Sequence, residues 1–280
     1  YDQIGSGEGL AALSTRQIDF AVSDIQECCE SRFSDEFVQI PVTIGAVAIV
    51  YNLPGKMALK LSPSVISDIF QGKITNWNHP RIQDENQGET LPNLPIKVFL
   101  RGDRSGTTSL LSSYLTRASN SWAEDVGAAS TLLLKNAQYT SGNRTMVTGV
   151  RDTTGAIGYA EWHYAMAYDV SIAAVRNFSG TYVQPSLTAI EASFKTVEDP
   201  QESDVYTYPI TGYSYLVVYR DQKSTGDIKR ARSLVDLIWW MTHEGQIYAD
   251  SLGFPPLSSE AMSESTKRLR GIHFDDILLH

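Results

Sequence analysis

The chain has 280 residues, 42% of them hydrophobic and 20% charged, with a formal net charge of -9. That composition supports one large or two modest folded domains and excludes a disordered chain. The acidic balance argues against nucleic acid or an anionic membrane as main partner, since both require a basic face, and no run of about 18 apolar residues marks a membrane span.

Taken in order, YDQIGSGEGL at 1–10 is neither a signal peptide nor a Met start, which predicts a processed or truncated chain. IGSGEG at 4–9 reads as a glycine-rich turn before a helix at 9–17, and IDFAVSD at 18–24 as a short buried strand. Cys28 and Cys29 are adjacent. Sequence neighbours rarely satisfy disulfide geometry, which leaves free thiols or an intermolecular link. The Val- and Ile-rich run at 37–54, ended by Pro54-Gly55, predicts one or two strands, and SPSVISDIFQGKITNW at 62–77 a helix opened by Ser-Pro and stopped at Gly72.

PIKVFLRGD at 95–103 predicts a strand entering a polar turn, followed by a helix at 105–119 with Leu110, Leu111, Tyr114 and Leu115 on one face. The segment 155–168 reads as strand, turn and helix, 183–204 as polar surface, 208–220 as a strand, and 230–253 as an amphipathic helix ending at Gly253. Trp239 and Trp240 cannot face the same way on that helix, so one is expected in the core and the other at the surface. Strands alternating with helices predict an α/β fold. The five histidines are scattered and no Cys/His cluster has ligand spacing, so neither a metal nor a cofactor is expected.

Three short stretches invite functional readings. RGD at 101–103 resembles an adhesion tripeptide, but it joins an apolar strand to a helix start rather than occupying an open loop. IGSGEG lacks the third glycine of a dinucleotide fingerprint, since Leu10 stands there. RGDRSGTT at 101–108 reads best as an anion site. Ser105, Gly106 and Thr107 open a helix whose first N–H groups have no intrahelical acceptor, the hydroxyls of Ser105 and Thr107 add donors, and Arg101 supplies a forked pair that Asp103 braces from behind. A capped helix with a surface ion pair is the plainer alternative. No nucleophile with an activating base and no metal carboxylate cluster is assembled, so a phosphatase or phosphoryl-transfer enzyme is not expected.

These residues carry a resemblance. IGSGEG, IDFAVSD, IPVTIGAVAIVYNLPG, LSPSVISDIFQGKITNWNHPRI, LRGDRSGTT, GAIGYAE, YPITGY and LGFPPL resemble, in family order, the PstS-type phosphate-binding proteins of ABC transporters. The resemblance implies a two-lobed periplasmic-binding-protein-like α/β fold of type II. Lobe I would take 1–54 and 206–280 and lobe II 55–205, with the ligand cleft at the hinge. It implies phosphate ligands Ser6, Asp24, Arg101, Ser105, Gly106 and Thr107, with Asp103, Gly5 and Gly7 in support. Asp24 would repel an anion unless that anion carries a proton, admitting monohydrogen phosphate and refusing sulfate.

Two departures stand out. Arg104 replaces the family's usual glycine, leaving three readings: a side chain in solvent, a pair with an acidic neighbour, or a tighter anion site. The family's leading strand and helix do not stand ahead of Tyr1 in this sequence, which leaves three readings: the whole chain carries them, another chain fills their place, or the protein is a degenerate member kept as a scaffold. The resemblance implies inorganic phosphate and transporter membrane subunits as partners, in an extracytoplasmic setting. The alternative is a phosphate-binding-protein-like interaction subunit of a larger assembly, whose sheet another chain completes. Asn143-Arg144-Thr145 and Asn177-Phe178-Ser179 fit the glycosylation pattern. Asn143 also resembles a Gly-Asn stretch lining the family's second lobe and is read as structural.

Overall fold

In the computed structural model of the chain, residues 2–25, 36–55, 57–195 and 204–279 are described; Cys28 and Cys29 lie outside them. Two compact units are formed, Tyr1–Ile44 with Gly212–His280, and Gly45–Thr211. The divisions fall within one long strand and near the start of another, rather than after 54 and before 206.

The first unit opens with helix α1 (Ser6–Ser14). It begins three residues before the expected 9, so the presumed glycine turn is the helix's first turn. Gly5, at φ 89°, precedes it as a cap that few side-chain-bearing residues could adopt. Gly7 and Gly9 weaken helix propensity, yet both are buried, and a Cβ on Gly9 would sit 3.6 Å from that of Ala21. Close packing of α1 on strand β1 (Phe20–Ser23) outweighs the propensity cost. The apolar run then forms a single strand, β2 (Phe37–Tyr51), buried along nearly its whole length. A strand covered on both faces reads as a continuous apolar run rather than an alternating one.

The second unit begins with the later half of β2. It continues through β3 (Lys60–Leu61), α2 (Pro63–Phe70), α3 (Pro80–Glu85), β4 (Lys97–Arg101), α4 (Gly106–Ala118) and α5 (Asn120–Asp125). After these come β5 (Ala137–Thr140), α6 (Gly142–Arg151), β6 (Ala156–Glu161), α7 (Trp162–Ala167), the short strands β7 (Ser171–Ile172), β8 (Ala174–Arg176) and β9 (Tyr182–Val183), and α8 (Leu187–Lys195). β2 pairs antiparallel with β6, Val47 opposite Glu161, while β4 lies parallel between β6 and β5. Helix α8 corrects the surface reading of 183–204 for its described part up to 195, while 196–203 lie outside the described residues. Ala189 and Ile190 are buried in α8, a two-residue anchor too short to stand out in a polar stretch.

Caps follow the sequence signals closely. Ser62 accepts from Val65 N with Pro63 at the first helical position, and Glu161 accepts from His163 N, so β6 passes into α7 without the expected turn. Asn177 is buried, with Nδ2 donating to the carbonyls of Val205 and Thr207 and Oδ1 receiving Ser179 and Thr181. That sequon serves the loop rather than a glycan.

The first unit resumes with β10 (Thr211–Tyr219), α9 (Ile228–Thr242), α10 (Ser259–Leu269) and the hairpin strands β11 (His273–Phe274) and β12 (Ile277–Leu278). β10 pairs antiparallel with β1, Phe20 opposite Val218. Its alternation is direct: Tyr215, Val217 and Tyr219 face the cluster of Leu10, Leu13 and Ala21, while Leu216 and Val218 pack with Leu234, Val235, Ile238 and Leu269. α9 ends at Thr242, eleven residues before the expected Gly253, and two 3₁₀ turns, Glu244–Tyr248 and Asp250–Leu252, carry the chain onward. Trp239 packs against the core and stacks on His243 at 3.7 Å between centroids, while Trp240 is exposed. Among the described residues no helix is long and apolar enough to cross a membrane.

The glycines of GAIGYAE have a steric origin. Gly155 sits at φ 82°, and a Cβ there would stand 2.7 Å from the Pro95 carbonyl oxygen. Its own carbonyl accepts the indole N–H of Trp77 at 2.9 Å. Gly155→Ala is expected to cost about 2–4 kcal/mol, combining backbone strain with overpacking. Urea unfolding measures it, and an unchanged midpoint would show that the 94–96 backbone yields freely.

Candidate functional site

In the first unit, Ser6 and Asp24 are brought together. Ser6 is the first residue of α1, and Asp24 follows the end of β1. The Asp24 backbone N–H donates to Ser6 Oγ at 3.4 Å. Packing α1 against β1 places the helix's opening turn beside the strand's exit. The first intrahelical bond runs from Gly9 N to Gly5 O, so the N–H groups of Ser6, Gly7 and Glu8 precede the helical ladder, the partial positive end that suits an anion. Asp24 Oδ1 accepts the Ser214 hydroxyl at 2.5 Å, which orients the carboxylate. No local signal in the sequence marks Ser214. It stands 190 positions away on β10, within the TGYS segment.

In the second unit, Arg101 ends β4 with only 2% of its surface exposed. Asp103 holds it as expected: Nε donates to Oδ1 at 2.7 Å, and Nη2 pairs with Oδ2. Nη1 donates to Asn143 Oδ1 at 3.2 Å. Three of a guanidinium's five N–H groups are thereby used, and one remains on each terminal nitrogen. The Arg101 backbone N–H donates to Tyr159 Oη at 3.1 Å, and Tyr159 Oη also bonds Thr108 Oγ1 at 2.7 Å. Burial pushes the Tyr159 hydroxyl pKa up, so it stays neutral while linking strand β4 to helix α4.

Ser105 is the N-cap of α4, its Oγ accepting from Thr108 N at 3.3 Å. The structure amends one detail. The Ser105 backbone N–H, expected to be available, donates to Ser130 O at 2.8 Å. Gly106 and Thr107 are the first two helical residues, and the first ladder bond is Ser109 N to Ser105 O. Their N–H groups therefore precede the ladder beside Arg101's pendant network. Thr107 Oγ1 donates to the same Asn143 Oδ1 at 3.3 Å. Of the three readings of Arg104, the structure shows an exposed side chain whose Nε reaches Ser130 Oγ at 3.4 Å.

Burial pushes the Asp103 carboxyl pKa up, but hydrogen bonds and charge from Arg101, with the N–H groups of Asp103 and Gly142, pull it further down. The net value lies below the ordinary 3.8. A carboxylate depressed in the folded state adds stability in full above its unfolded value, and that stability fades as pH falls through the folded value. Asp103→Asn is therefore expected to lower stability at neutral pH and to flatten the acid limb between about pH 5 and pH 2. Chemical unfolding across that range tests this, and an unaltered slope would assign the acid sensitivity to other carboxylates. Among the described residues no group of three or more His, Cys, Asp or Glu could hold a metal ion.

The PBP superfamily domain matches residues 1–244. The phosphate-binding protein PstS of Pasteurella multocida is 31% identical over 277 residues, 94% of this chain and 79% of the relative. That of Methanocaldococcus jannaschii is 31% identical over 277 residues, 88% of this chain and 71% of its own length. Among solved structures, a high affinity periplasmic phosphate-binding protein (PfluDING) bound with phosphate has a TM-score of 0.72 at 19% identity, covering 96% of this chain and 91% of its own. A phosphate-binding protein from Stenotrophomonas maltophilia has a TM-score of 0.70 at 22% identity, covering 95% and 85%. These structures establish the type II periplasmic-binding-protein fold, with helices flanking mixed sheets. The sequence identity, held over nearly the full length, goes further: the chain belongs to the PstS-type phosphate-binding proteins of the PBP superfamily.

Proposed function

We propose that this chain is a receptor for inorganic phosphate, with Ser6, Asp24, Arg101, Ser105, Gly106 and Thr107 as ligands, Asp103 as the brace of Arg101, and Gly5 and Gly7 shaping the opening of α1. The observation that carries the reading is Arg101, almost wholly buried, paired on one edge with Asp103, and retaining donors next to the N-terminal turn of a thirteen-residue helix. A buried guanidinium beside unladdered N–H groups suits a tetrahedral oxyanion better than any neutral ligand. The PstS relatives, named for phosphate binding, support the same choice.

By the same reading the protein binds and releases without catalysis, works outside the cytoplasm and hands phosphate to an ABC transporter. The interaction-subunit alternative has no observation in its favour. Isothermal titration is the test. One phosphate should bind per chain, sulfate should bind far more weakly, and variants on either side of the ligand set, Ser6→Ala or Thr107→Ala, should weaken the same isotherm. A folded chain that takes up no phosphate overturns the proposal.

A further inference from the structure

We infer that Asn143 is a positioning residue of the anion site, holding Arg101 and Thr107 in mutual register through one side-chain oxygen; this rests on the phosphate reading above. Asn143 lies in the first turn of α6, remote in sequence from both. Its Oδ1 receives Arg101 Nη1 at 3.2 Å, Thr107 Oγ1 at 3.3 Å and the backbone N–H of Glu161 at 3.2 Å. The orientation of the amide is fixed by chemistry, since a guanidinium nitrogen and a backbone N–H can only donate, and the atom facing both must be the oxygen.

Four elements meet at that atom: the end of β4, the start of α4, the start of α6 and the end of β6. Asp103 repeats the pattern, since it also accepts from Gly142 N at 3.3 Å, next to Asn143. The first turn of α6 therefore holds both members of the Arg101–Asp103 pair. Without Asn143, Arg101 would keep its two bonds to Asp103 but lose the contact that holds Nη1.

The number of donors matters as well. A carbonyl oxygen has two lone pairs, and here three donors share it at 3.2–3.3 Å. The Thr107 hydroxyl can turn its hydrogen to an incoming anion while Oδ1 stays satisfied by Arg101 and Glu161. Asn143 thus holds the Thr107 proton through a bond that can be exchanged for one to an anion at little cost. A neutral amide suits this role, because a carboxylate in its place would accept the same bonds yet set a second negative charge against both Arg101 and the ligand.

The test compares Asn143→Ala and Asn143→Asp, with phosphate titration, thermal unfolding and ¹⁵N spectra of the Arg101 guanidinium. Asn143→Ala should weaken phosphate binding by about tenfold and broaden the Arg101 signals. Asn143→Asp should keep the signals and a near-wild-type melting temperature, yet bind phosphate more weakly than Asn143→Ala. That split between stability and affinity is what a purely structural contact would not produce. Recovery of full affinity in Asn143→Asp, or wild-type affinity in Asn143→Ala, overturns the inference. If the wild-type protein binds no phosphate, the phosphate reading fails by itself. The guanidinium spectra then still decide: loss of the signals in Asn143→Ala supports the positioning contact, and their persistence overturns it.

Discussion

Replacing Arg101 with alanine is expected to weaken phosphate binding by about a hundredfold to several thousandfold, the equivalent of about 3–5 kcal/mol. The residue is 2% exposed, and its guanidinium is the one cation within the proposed ligand set. Its loss removes charge-assisted donors from a place where water cannot replace them. It also strands Asp103, whose side chain is 10% exposed, as a buried carboxylate with its principal partner gone. The variant should therefore be less stable as well as weaker in binding. Arg101→Lys separates the two effects. An ammonium retains the charge and can pair with Asp103, but it cannot grip the carboxylate with two parallel bonds while presenting a further fork to a ligand. Its melting temperature should lie nearer the wild type than that of Arg101→Ala, with affinity still down by at least about tenfold. Calorimetric titration and thermal unfolding read both quantities. Near-wild-type phosphate affinity in Arg101→Ala would falsify the anion-site assignment.

The second large effect is on discrimination. Asp24→Asn is expected to collapse the preference for phosphate over sulfate by about ten- to a hundredfold, mostly through a gain in sulfate binding. At neutral pH monohydrogen phosphate carries a proton that an aspartate oxygen can accept, whereas sulfate offers only oxygen lone pairs to a carboxylate. The resulting repulsion, in a partly desolvated place, is worth a few kcal/mol. An asparagine can turn its amide N–H₂ to either anion, so the repulsion disappears. Ser214 bears on the same prediction. Its hydroxyl donates to Asp24 Oδ1 at 2.5 Å and orients the carboxylate. Ser214→Ala should accordingly reduce the discrimination in the same direction, by less. Parallel titrations with phosphate and sulfate at one ionic strength measure the ratio. A ratio unchanged in Asp24→Asn would return Asp24 to the role of an ordinary turn residue.

The sequence by itself determined whatever depends on neighbours in the chain. Ser62-Pro63 starts a helix and Ser105 caps one, because a side-chain oxygen needs only the N–H three residues on. Arg101 and Asp103 pair across two positions, so the brace was visible in RGD before any fold was known. The apolar run of β2 and the alternation of β10 announced strands because burial on two faces leaves a plain mark on composition.

Tertiary structure decided what depends on distant partners. The start of α1 lies three residues ahead of where the sequence predicts it, because Gly7 and Gly9 look like helix breakers until β1 lies against them. The α8 helix inside a polar stretch is held by two buried residues that only their packing reveals. Ser130 takes up the Ser105 N–H, Ser214 reaches Asp24 from 190 residues away, and Asn143 joins Arg101 across 42. Such hydrogen bonds leave no periodicity in the sequence, because their geometry exists only once separate strands and helices have been packed side by side.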